Sequence, residues 1–307
     1  MEKILLDTDI GTDIDDSFCL GYLLSQPKCD LLGITTVSGE ADKRAMMASV
    51  MCKAAGKGNI PIFTGIENPL LTAQRQPVAR QAGVLEKWPH ETRFPKGEAI
   101  EFMRKTIRKH PGEITLLAIG PMTNVAALFT IDPEIPSLLK ELVMMCGVFT
   151  YGLKSGVYLS EWNALCDAHA TAIVYRAPVC KVRSIGLDVT TQITMKKKDF
   201  TAKFQSDIMR PLYDFTDVWD DKEGIITFHD PLAATTIFDD GICHFERGEV
   251  TIELESTRAK GLTYWDSCEN GNDEVAFSVD RDAFFKHYLG IVEKKLIGNG
   301  AIAMERM

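Results

Sequence analysis

Several features that define other classes of protein are missing from this 307-residue chain. It has no run of about 18 apolar residues, so we predict no membrane-spanning helix and no membrane partner. No linker rich in proline, glycine or serine and no internal repeat interrupts it, which favours one domain over residues 1–307. Basic residues are a minority, with 34 Lys+Arg against 43 Asp+Glu and a net charge of −9, so nucleic acid is an unfavourable partner.

The eight cysteines form no C-x-x-C pair, and the N-terminus has no signal-peptide pattern. A chain of this length buries enough apolar surface to fold without disulfides. Several cysteines also stand among apolar neighbours, as Cys146 does after Val143-Met144-Met145. We therefore expect buried thiols in a reducing compartment, and a cytoplasmic location.

Short apolar runs alternate with segments of helical spacing through the first two thirds of the sequence. The predicted buried strands are Lys3–Leu6, Leu31–Val37, Ile114–Ile119, Leu142–Cys146 and Val179–Ile185. This alternation predicts an α/β fold whose largely parallel central sheet has helices on both faces. The last third differs, because Val250–Leu254, Leu262–Trp265 and Val275–Val279 predict antiparallel strands before a closing helix over Arg281–Lys295. The predicted long loops are Glu67–Pro95, Gly147–Ser160 and Asp217–Phe228.

The strongest signal for function is the segment Asp7–Asp16, which holds five aspartates directly after the first predicted strand. In an α/β sheet, the carboxyl end of a strand is where ligands bind. Crowded carboxylates repel one another, and a hard divalent cation relieves that repulsion. Capping of the next helix by Asp13 or Asp15 explains one or two of the aspartates but not all five. For Asp13 alone, capping and a role in the site stay equally open.

Two distant segments carry weaker signals. His229-Asp230 is followed by Pro231, which fits a catalytic or metal-binding pair and equally fits a helix start capped by Asp230. The predicted strand that ends before Gly120-Pro121 leaves the carbonyl oxygen of Ile119 without a strand partner, and such an oxygen suits a hard cation. Taken by itself, the second segment is better explained by a plain strand-to-helix turn.

Together these segments resemble the calcium-dependent nucleoside hydrolases. The Asp7–Asp16 block looks like the N-terminal aspartate motif of that family, and the turn after Ile119 is similar to its Gly-Pro-Leu-Thr-Asn turn. Glu161-Trp162-Asn163 resembles its Glu-Phe-Asn element, and His229-Asp230 its late His-Asp pair. The four blocks occur in the family's order along nearly the whole chain, so the resemblance implies a single-domain nucleoside hydrolase-like fold.

The resemblance also implies a metal centre and a general base. Ca²⁺ would be held by Asp9, Asp16, Asp230 and the carbonyl oxygen of Ile119. Asp9 would in addition take the proton of a calcium-bound water that attacks the N-glycosidic bond of a ribonucleoside. Asp7 would not bind the metal itself but would hold the ligands in position.

The same resemblance implies the groups that hold the substrate. Asp15 and Asn163 would bind the ribose hydroxyls, with Glu161 beside them, and His229 would donate a proton to the departing base. It further implies a homodimer or homotetramer. Trp219 is predicted to stack on the base, because its loop precedes His229, whereas Trp162 is predicted to be a core aromatic.

Three departures from the family's pattern concern the substrate pocket. The aspartate block is two residues longer, with Thr12-Asp13-Ile14 between the glycine and the paired aspartates. Glu40 follows the second predicted strand where the family has Asn, which would place a carboxylate against the ribose. A family histidine near Gln81 is missing. We therefore expect a nucleoside or a related riboside as substrate without predicting its base.

Two alternatives use the same residues differently. A phosphatase of the haloacid dehalogenase type also begins with a strand and Asp-x-Asp, and would use Asp7 as nucleophile, Asp9 as acid and Mg²⁺ as metal. Its required lysine and late acidic pair after a strand are not evident in the sequence. A non-catalytic riboside-binding relative of the hydrolases is the second alternative. A dinucleotide-binding enzyme is disfavoured, because no G-x-G-x-x-G follows the first strand.

Overall fold

The computed structural model describes residues 1–150, 160–204, 206–219 and 224–293. The strands are β1 (Glu2–Thr8), β2 (Cys29–Thr36), β3 (Ile62–Thr64), β4 (Ile114–Ala118), β5 (Glu141–Met144), β6 (Val182–Ser184), β7 (Thr194–Lys196), β8 (Ile225–Thr227), β9 (Cys243–Ile252), β10 (Thr263–Ser267) and β11 (Asp273–Val279). The helices are α1 (Asp15–Ser25), α2 (Ala41–Ala54), α3 (Ala99–Lys109), α4 (Thr123–Ile131), α5 (Ile135–Leu138), α6 (Trp162–Cys166), α7 (Ala168–Tyr175), α8 (Leu187–Thr190), α9 (Lys197–Lys203), α10 (Pro211–Val218), α11 (His229–Thr236) and α12 (Arg281–Val292). None of the described helices is long and apolar enough to cross a membrane.

Nine of the described strands form one sheet in the order β10-β9-β11-β6-β5-β4-β1-β2-β3. The strands from β6 to β3 in this order are parallel, and β11 also pairs parallel with β6. β9 pairs antiparallel with β10 and β11. The predicted α/β class, with a largely parallel sheet and antiparallel strands near the C-terminus, is confirmed. The prediction was incomplete for β11, which is antiparallel on one side only.

Apolar side chains cover both faces of the sheet. Along β1, Ile4 and Leu6 belong to one buried cluster while Leu5 belongs to another. Leu117 and Leu116 divide between the same two clusters in β4. Successive side chains of a strand point to opposite faces, so a strand buried on both sides must be apolar throughout. This explains why β1 and β4 appear in the sequence as unbroken apolar runs.

Several predicted boundaries differ from the observed ones. The strand predicted over Leu142–Cys146 ends at Met144, and the strand predicted over Val179–Ile185 is only Val182–Ser184. The loop predicted over Glu67–Pro95 has irregular backbone apart from a 3-10 helix at Arg80–Lys87. Most of the predicted loop Gly147–Ser160 lies outside the described residues, as do 220–223 of the loop Asp217–Phe228 and the end of the closing helix. The single-domain prediction for residues 1–307 stays a prediction.

Candidate active site

A cavity of about 360 Å³ opens where β1, β4 and β5 end. Its walls combine carboxylates, amides and two indoles. The lining residues are Asp9, Thr12, Asp13, Asp15, Asp16, Gln76, Ile119, Met145, Ser160, Glu161, Trp162, Asn163, Leu187, Trp219, His229 and Asp230. Residues far apart in the sequence meet here because parallel strands end at the same edge of the sheet. Of the residues predicted to bind the metal or the substrate or to act in catalysis in a nucleoside hydrolase, Glu40 alone does not line this cavity.

Three buried carboxylates form the centre of the cavity. One oxygen from each of Asp15, Asp16 and Asp230 lies within 4.8 Å of the others. Burial raises the pKa of all three carboxyl groups, and the negative charges of neighbouring aspartates, Asp9 and Asp13 among them, raise it further. Such a set of buried oxygen ligands fits a hard divalent cation, which would hold the three groups in their ionised form.

Neither helix that carries these aspartates uses them as side-chain caps. α1 is preceded by Ile14 and α11 by Phe228, and neither residue makes a side-chain capping hydrogen bond. Asp230 lies inside the first turn of α11, and its backbone N–H donates to Asp15 Oδ2 at 3.1 Å. The capping explanation for Asp13, Asp15 and Asp230 is therefore wrong for the described structure.

Asp9 lies beside this centre but is not one of its three closest carboxylates. Gln76 Nε2 donates a hydrogen bond to Asp9 Oδ2. Burial raises the pKa of Asp9, and the positive charge of Arg44 opposes that rise. The negative charge of Asp9 in turn raises the pKa of Asp16. Asp9 is therefore electrostatically part of the site, and its carboxylate is held by a neutral donor.

Asp7 is fully buried and does not line the cavity. Its Oδ1 accepts hydrogen bonds from Thr35 Oγ1 at 2.5 Å and from Asn124 Nδ2 at 2.7 Å. Asn124 also donates to the carbonyl oxygen of Thr36, so Asp7 helps to join β1, β2 and α4. Such a carboxylate supports the strand ends and is badly placed to act as the nucleophile that a phosphatase requires.

Arg44 is completely buried and binds the backbone around the aspartates. Its guanidinium donates to the carbonyl oxygens of Asp9 and Ile10, to Thr12 Oγ1 at 2.9 Å and to the carbonyl oxygen of Gln76 at 3.3 Å. Burial of a charge is costly unless its donors are satisfied, and here they fix two loops together. Arg44 thus sets the path of the chain after β1 and supplies positive charge behind the carboxylates.

The turn after β4 approaches Asp9 closely. A Cβ on Gly120 would lie 2.9 Å from Asp9 N and Asp9 Oδ1, so only glycine fits without displacing a neighbour. The carbonyl oxygen of Ile119 accepts a hydrogen bond from Asn163 Nδ2 at 2.9 Å rather than from a strand. Asn163 Nδ2 also donates to the carbonyl oxygen of Met145 at 3.1 Å. Both N–H bonds of Asn163 are used, and its Oδ1 is the atom left to accept from a substrate hydroxyl.

Glu161 caps the short helix α6 from within the cavity wall. Its carboxylate accepts hydrogen bonds from the backbone N–H groups of Asn163 at 2.7 Å, Ala164 at 2.9 Å and Gly147 at 3.2 Å. Burial raises the pKa of Glu161 to about 7 despite these bonds. Because both oxygens are engaged with backbone, Glu161 positions Asn163 as well as lining the cavity.

His229 reaches the cavity from the first residue of α11. Its Nδ1 lies 2.7 Å from Thr190 Oγ1, which orients the ring. Burial lowers the pKa of His229 to about 4, so the imidazole is neutral at pH 7. As a neutral N–H group it can donate a hydrogen bond to a ligand in the cavity.

Both tryptophans that the sequence singled out line the cavity. Trp219 is half-buried at the end of α10, where it lines the cavity and also packs against the hydrophobic core, so its contact with the base stays a prediction. The prediction that Trp162 is a core aromatic is wrong, because 46% of this residue is exposed. Its indole Nε1 donates to Gln76 Oε1 at 2.8 Å, which keeps the exposed ring at the cavity mouth.

The expectation that Glu40 faces the ribose does not agree with its position. Its carboxylate pairs with Lys43 Nζ at 2.6 Å and accepts from the backbone N–H of Ala79 at 2.9 Å. Glu40 starts α2 with a left-handed backbone, at φ 60°, and joins this helix to the loop before the 3-10 helix. Gln81, which stands where a histidine was expected, donates to the carbonyl oxygen of Asp13 at 2.7 Å and so supports the lengthened aspartate loop.

Sequence reasoning missed Gln76 and Arg44. Gln76 lies in a loop without periodicity, so no pattern distinguishes it from its neighbours. Arg44 does carry a signal, because it precedes the apolar run Ala45-Met46-Met47 within a predicted helix. A charged residue next to a buried face is a candidate for an internal structural role.

Comparisons with known proteins agree with this geometry. Residues 4–286 match the family described as inosine-uridine preferring nucleoside hydrolase. The chain is 26% identical to uridine nucleosidase 1 of Arabidopsis thaliana over 95% of its own length and 91% of that protein. It is 28% identical to the inosine-uridine preferring nucleoside hydrolase of Leishmania major, covering 95% and 98% of the two chains.

Solved structures show the same fold. A plant nucleoside hydrolase superposes with a TM-score of 0.83 at 23% identity, covering 95% of this chain and 99% of that one. A purine-preferring ribonucleoside hydrolase from Gardnerella vaginalis gives 0.80 at 22% identity, covering 95% and 98%. The match to the family over nearly the whole chain gives no support to the phosphatase alternative. This chain belongs to the inosine-uridine preferring nucleoside hydrolase family, and it is a hydrolase of N-glycosyl compounds.

Proposed function

We propose that this protein hydrolyses the N-glycosidic bond of ribonucleosides to free ribose and base in a Ca²⁺-dependent reaction. The observation that carries the proposal is the convergence of Asp9, Asp15, Asp16 and Asp230 in one cavity with Asn163 and two indoles. Family membership supports this reaction class, and matched relatives are named for uridine or for inosine and uridine.

The ligand set that we propose for Ca²⁺ is Asp9, Asp16, Asp230 and the carbonyl oxygen of Ile119. Asp16 and Asp230 also belong to the tight carboxylate group, whose third member is Asp15. A divalent cation held by these residues would lower the pKa of a water molecule and help to orient the ribose hydroxyls. Three carboxylates around it leave a net charge of about −1, which favours the positive charge that develops on the sugar as the bond breaks.

Asp9 acts as the general base in this proposal. Its raised pKa brings it closer to neutrality, where a carboxylate accepts a proton from water more effectively. Gln76 donates to Oδ2, and we assign the proton to the other oxygen, Oδ1, which lies next to Gly120. The N–H of Gln76 and the buried charge of Arg44 hold Asp9 in place while it does so.

The sugar and the base contact different parts of the cavity. Asp15 and Asn163 Oδ1 accept hydrogen bonds from ribose hydroxyls, and Glu161 fixes Asn163. Trp219 and the exposed ring of Trp162 stack against the base. His229 donates its N–H to the departing base, which is a poor leaving group without such help.

The test is an assay for free ribose with purine, pyrimidine and modified ribonucleosides, run in EDTA and again after excess CaCl₂. We expect ribose from at least one nucleoside, without added phosphate, and loss of this activity in EDTA that Ca²⁺ restores. Nucleoside binding by calorimetry without ribose release would favour the non-catalytic alternative.

The homodimer or homotetramer stays a prediction, which light scattering on the purified protein tests.

A further inference from the structure

Gln76 connects the mouth of the cavity to its interior through one side chain. Its Nε2 donates to Asp9 Oδ2 and, at 2.8 Å, to Ser38 Oγ. Its Oε1 accepts from Trp162 Nε1 at 2.8 Å. Gln76 is 4% exposed, whereas Trp162 is 46% exposed. We propose that Gln76 is a positioning residue that couples the orientation of Trp162, where the base binds, to that of Asp9.

The chemistry of the neighbours fixes the orientation of the Gln76 amide. The indole N–H of Trp162 can only donate, and an ionised carboxylate of Asp9 can only accept. The amide must therefore turn its oxygen to Trp162 and its nitrogen to Asp9. A rotation of the amide by 180° would break the hydrogen bond to Asp9 and the hydrogen bond from Trp162 together. The two bonds therefore depend on one orientation of the amide.

The backbone of Gln76 is held separately from its side chain. Its carbonyl oxygen accepts from Arg44 Nη2 at 3.3 Å, and its N–H donates to Gln74 Oε1 at 2.9 Å. A change confined to the side chain therefore leaves the loop in place while removing the link. Ring movement at Trp162, caused by a base that stacks on it, passes to Asp9 through these two hydrogen bonds.

This inference rests on the proposed function, because it assigns Asp9 to the metal and the attacking water. Groups that orient metal ligands by hydrogen bonds change metal affinity by about 10–100-fold when they are removed. Trp162 contacts Asp9 only by way of Gln76 in the described hydrogen bonds. An effect of Trp162 on metal binding would therefore report the link directly.

The experiment is a double-mutant cycle with Gln76→Met, Trp162→Phe and the double variant. Methionine keeps the length of the side chain and loses its three hydrogen bonds, to Asp9, Ser38 and Trp162, and phenylalanine keeps an aromatic ring without the N–H. Ca²⁺ affinity is measured by calorimetry with the metal alone, and kcat and KM are measured with the best nucleoside from the panel. Gln26→Met is the control, because Gln26 is 3% exposed and donates to Tyr22, which does not line the cavity.

We expect Gln76→Met to weaken Ca²⁺ binding and lower kcat by about 10-fold or more. Trp162→Phe should weaken Ca²⁺ binding about threefold and raise KM in the wild-type background, and should leave Ca²⁺ affinity unchanged in the Gln76→Met background. Gln26→Met should change neither quantity, whatever it does to the melting temperature.

Additive effects of the two substitutions on Ca²⁺ affinity, or no effect of Trp162→Phe on it, would overturn the coupling. A wild-type protein that binds Ca²⁺ and releases no ribose from any nucleoside would refute the proposed function instead. In that case a non-additive cycle in Ca²⁺ affinity would still establish the physical link between Trp162 and Asp9, and an additive one would refute both.

Discussion

Asp9 and Asp15 both line the cavity, but we propose different roles for them. Single substitutions distinguish these two roles. Asp9→Asn removes a base and a ligand charge, so kcat should fall at least 10²–10⁴-fold, the usual size of general-base loss. Asp15→Asn should mainly raise KM, because it loses a contact to the ribose. Ca²⁺ calorimetry and steady-state kinetics measure both variants. Weaker Ca²⁺ binding in Asp15→Asn than in Asp9→Asn would instead make Asp15 the ligand, as the compact group with Asp16 and Asp230 also allows.

His229 should matter only for leaving groups that need a hydrogen bond to stabilise the charge they carry away. His229→Ala should lower kcat on an ordinary nucleoside by about 10²-fold and leave p-nitrophenyl riboside almost unaffected. Burial lowers the pKa of His229 to about 4, so its charge does not change between pH 6 and pH 9. The difference between the two substrates in the loss of kcat should therefore stay constant over that range. Kinetics on both substrates over that range measure it. Equal losses on the two would mean that His229 only positions Asp230 or the sugar.

The turn that joins β4 to α4 depends on the absence of one side chain. Gly120→Ala should displace Asp9, because the added Cβ would lie 2.9 Å from Asp9 N and Oδ1. We expect kcat to fall about 10-fold or more, with about 1–3 kcal/mol lost from the free energy of unfolding, as for other overpacked sites. Gly83→Ala is the control, because its Cβ would meet no atom within 4 Å. Activity near wild type in Gly120→Ala would show that the turn adjusts freely.

Elements that are buried on both sides could be predicted from the sequence, while those held by tertiary contacts could not. β1 and β4 are continuous apolar runs, and their carboxyl ends correctly indicated where the aspartates meet. The short strands β7 and β8 pair only with each other and carry no such run. The ends of β5 and β6 were overestimated, because the apolar residues beyond them are buried by packing rather than by strand pairing.

The same contrast applies within the site. Aspartates crowded at Asp7–Asp16 signal a local electrostatic conflict that any reader of the sequence can see. Gln76 gives no local signal, because its importance arises only when Trp162 and Asp9 come together around it. Trp162 was misassigned for a related reason, since its exposure depends on the way α6 starts at the cavity wall and not on its apolar neighbours.

A buried acid outside the cavity lining, Asp273, should make the free energy of unfolding depend on pH. Burial raises the pKa of Asp273 to about 6 from 3.8, while its Oδ2 accepts from Val250 N at 2.8 Å. The folded state therefore binds more protons between these values, so its stability is full below about pH 4 and falls as pH rises to about 6. Asp273→Asn should remove roughly 3 kcal/mol of this pH dependence. Chemical unfolding of metal-free protein from pH 4 to pH 7 tests it, and identical profiles for the two proteins would contradict it.

Cation binding should stabilise the fold as well as the site. Ionisation of Asp15, Asp16 and Asp230 is opposed by their burial and by the negative charge of neighbouring aspartates, and a bound divalent ion would offset both. At about 100 times the dissociation constant, Ca²⁺ should add about 2.7 kcal/mol to the free energy of unfolding. Thermal melts at pH 7 in EDTA and in CaCl₂ measure the shift. Equal melting temperatures in the two buffers would exclude a cation site in this cluster.

The hydrogen bond from the backbone of Asp230 to Asp15 joins residues 215 positions apart. During synthesis on the ribosome, the first strands and their aspartates leave the exit tunnel long before α11 exists. A shortened chain that stops before residue 230 would carry most of the parallel sheet and three of the four site aspartates, namely Asp9, Asp15 and Asp16, yet no complete cleft. Termination before residue 230, within the first three quarters of the chain, would therefore remove Asp230 together with this hydrogen bond, and we expect no ribose release from such a product.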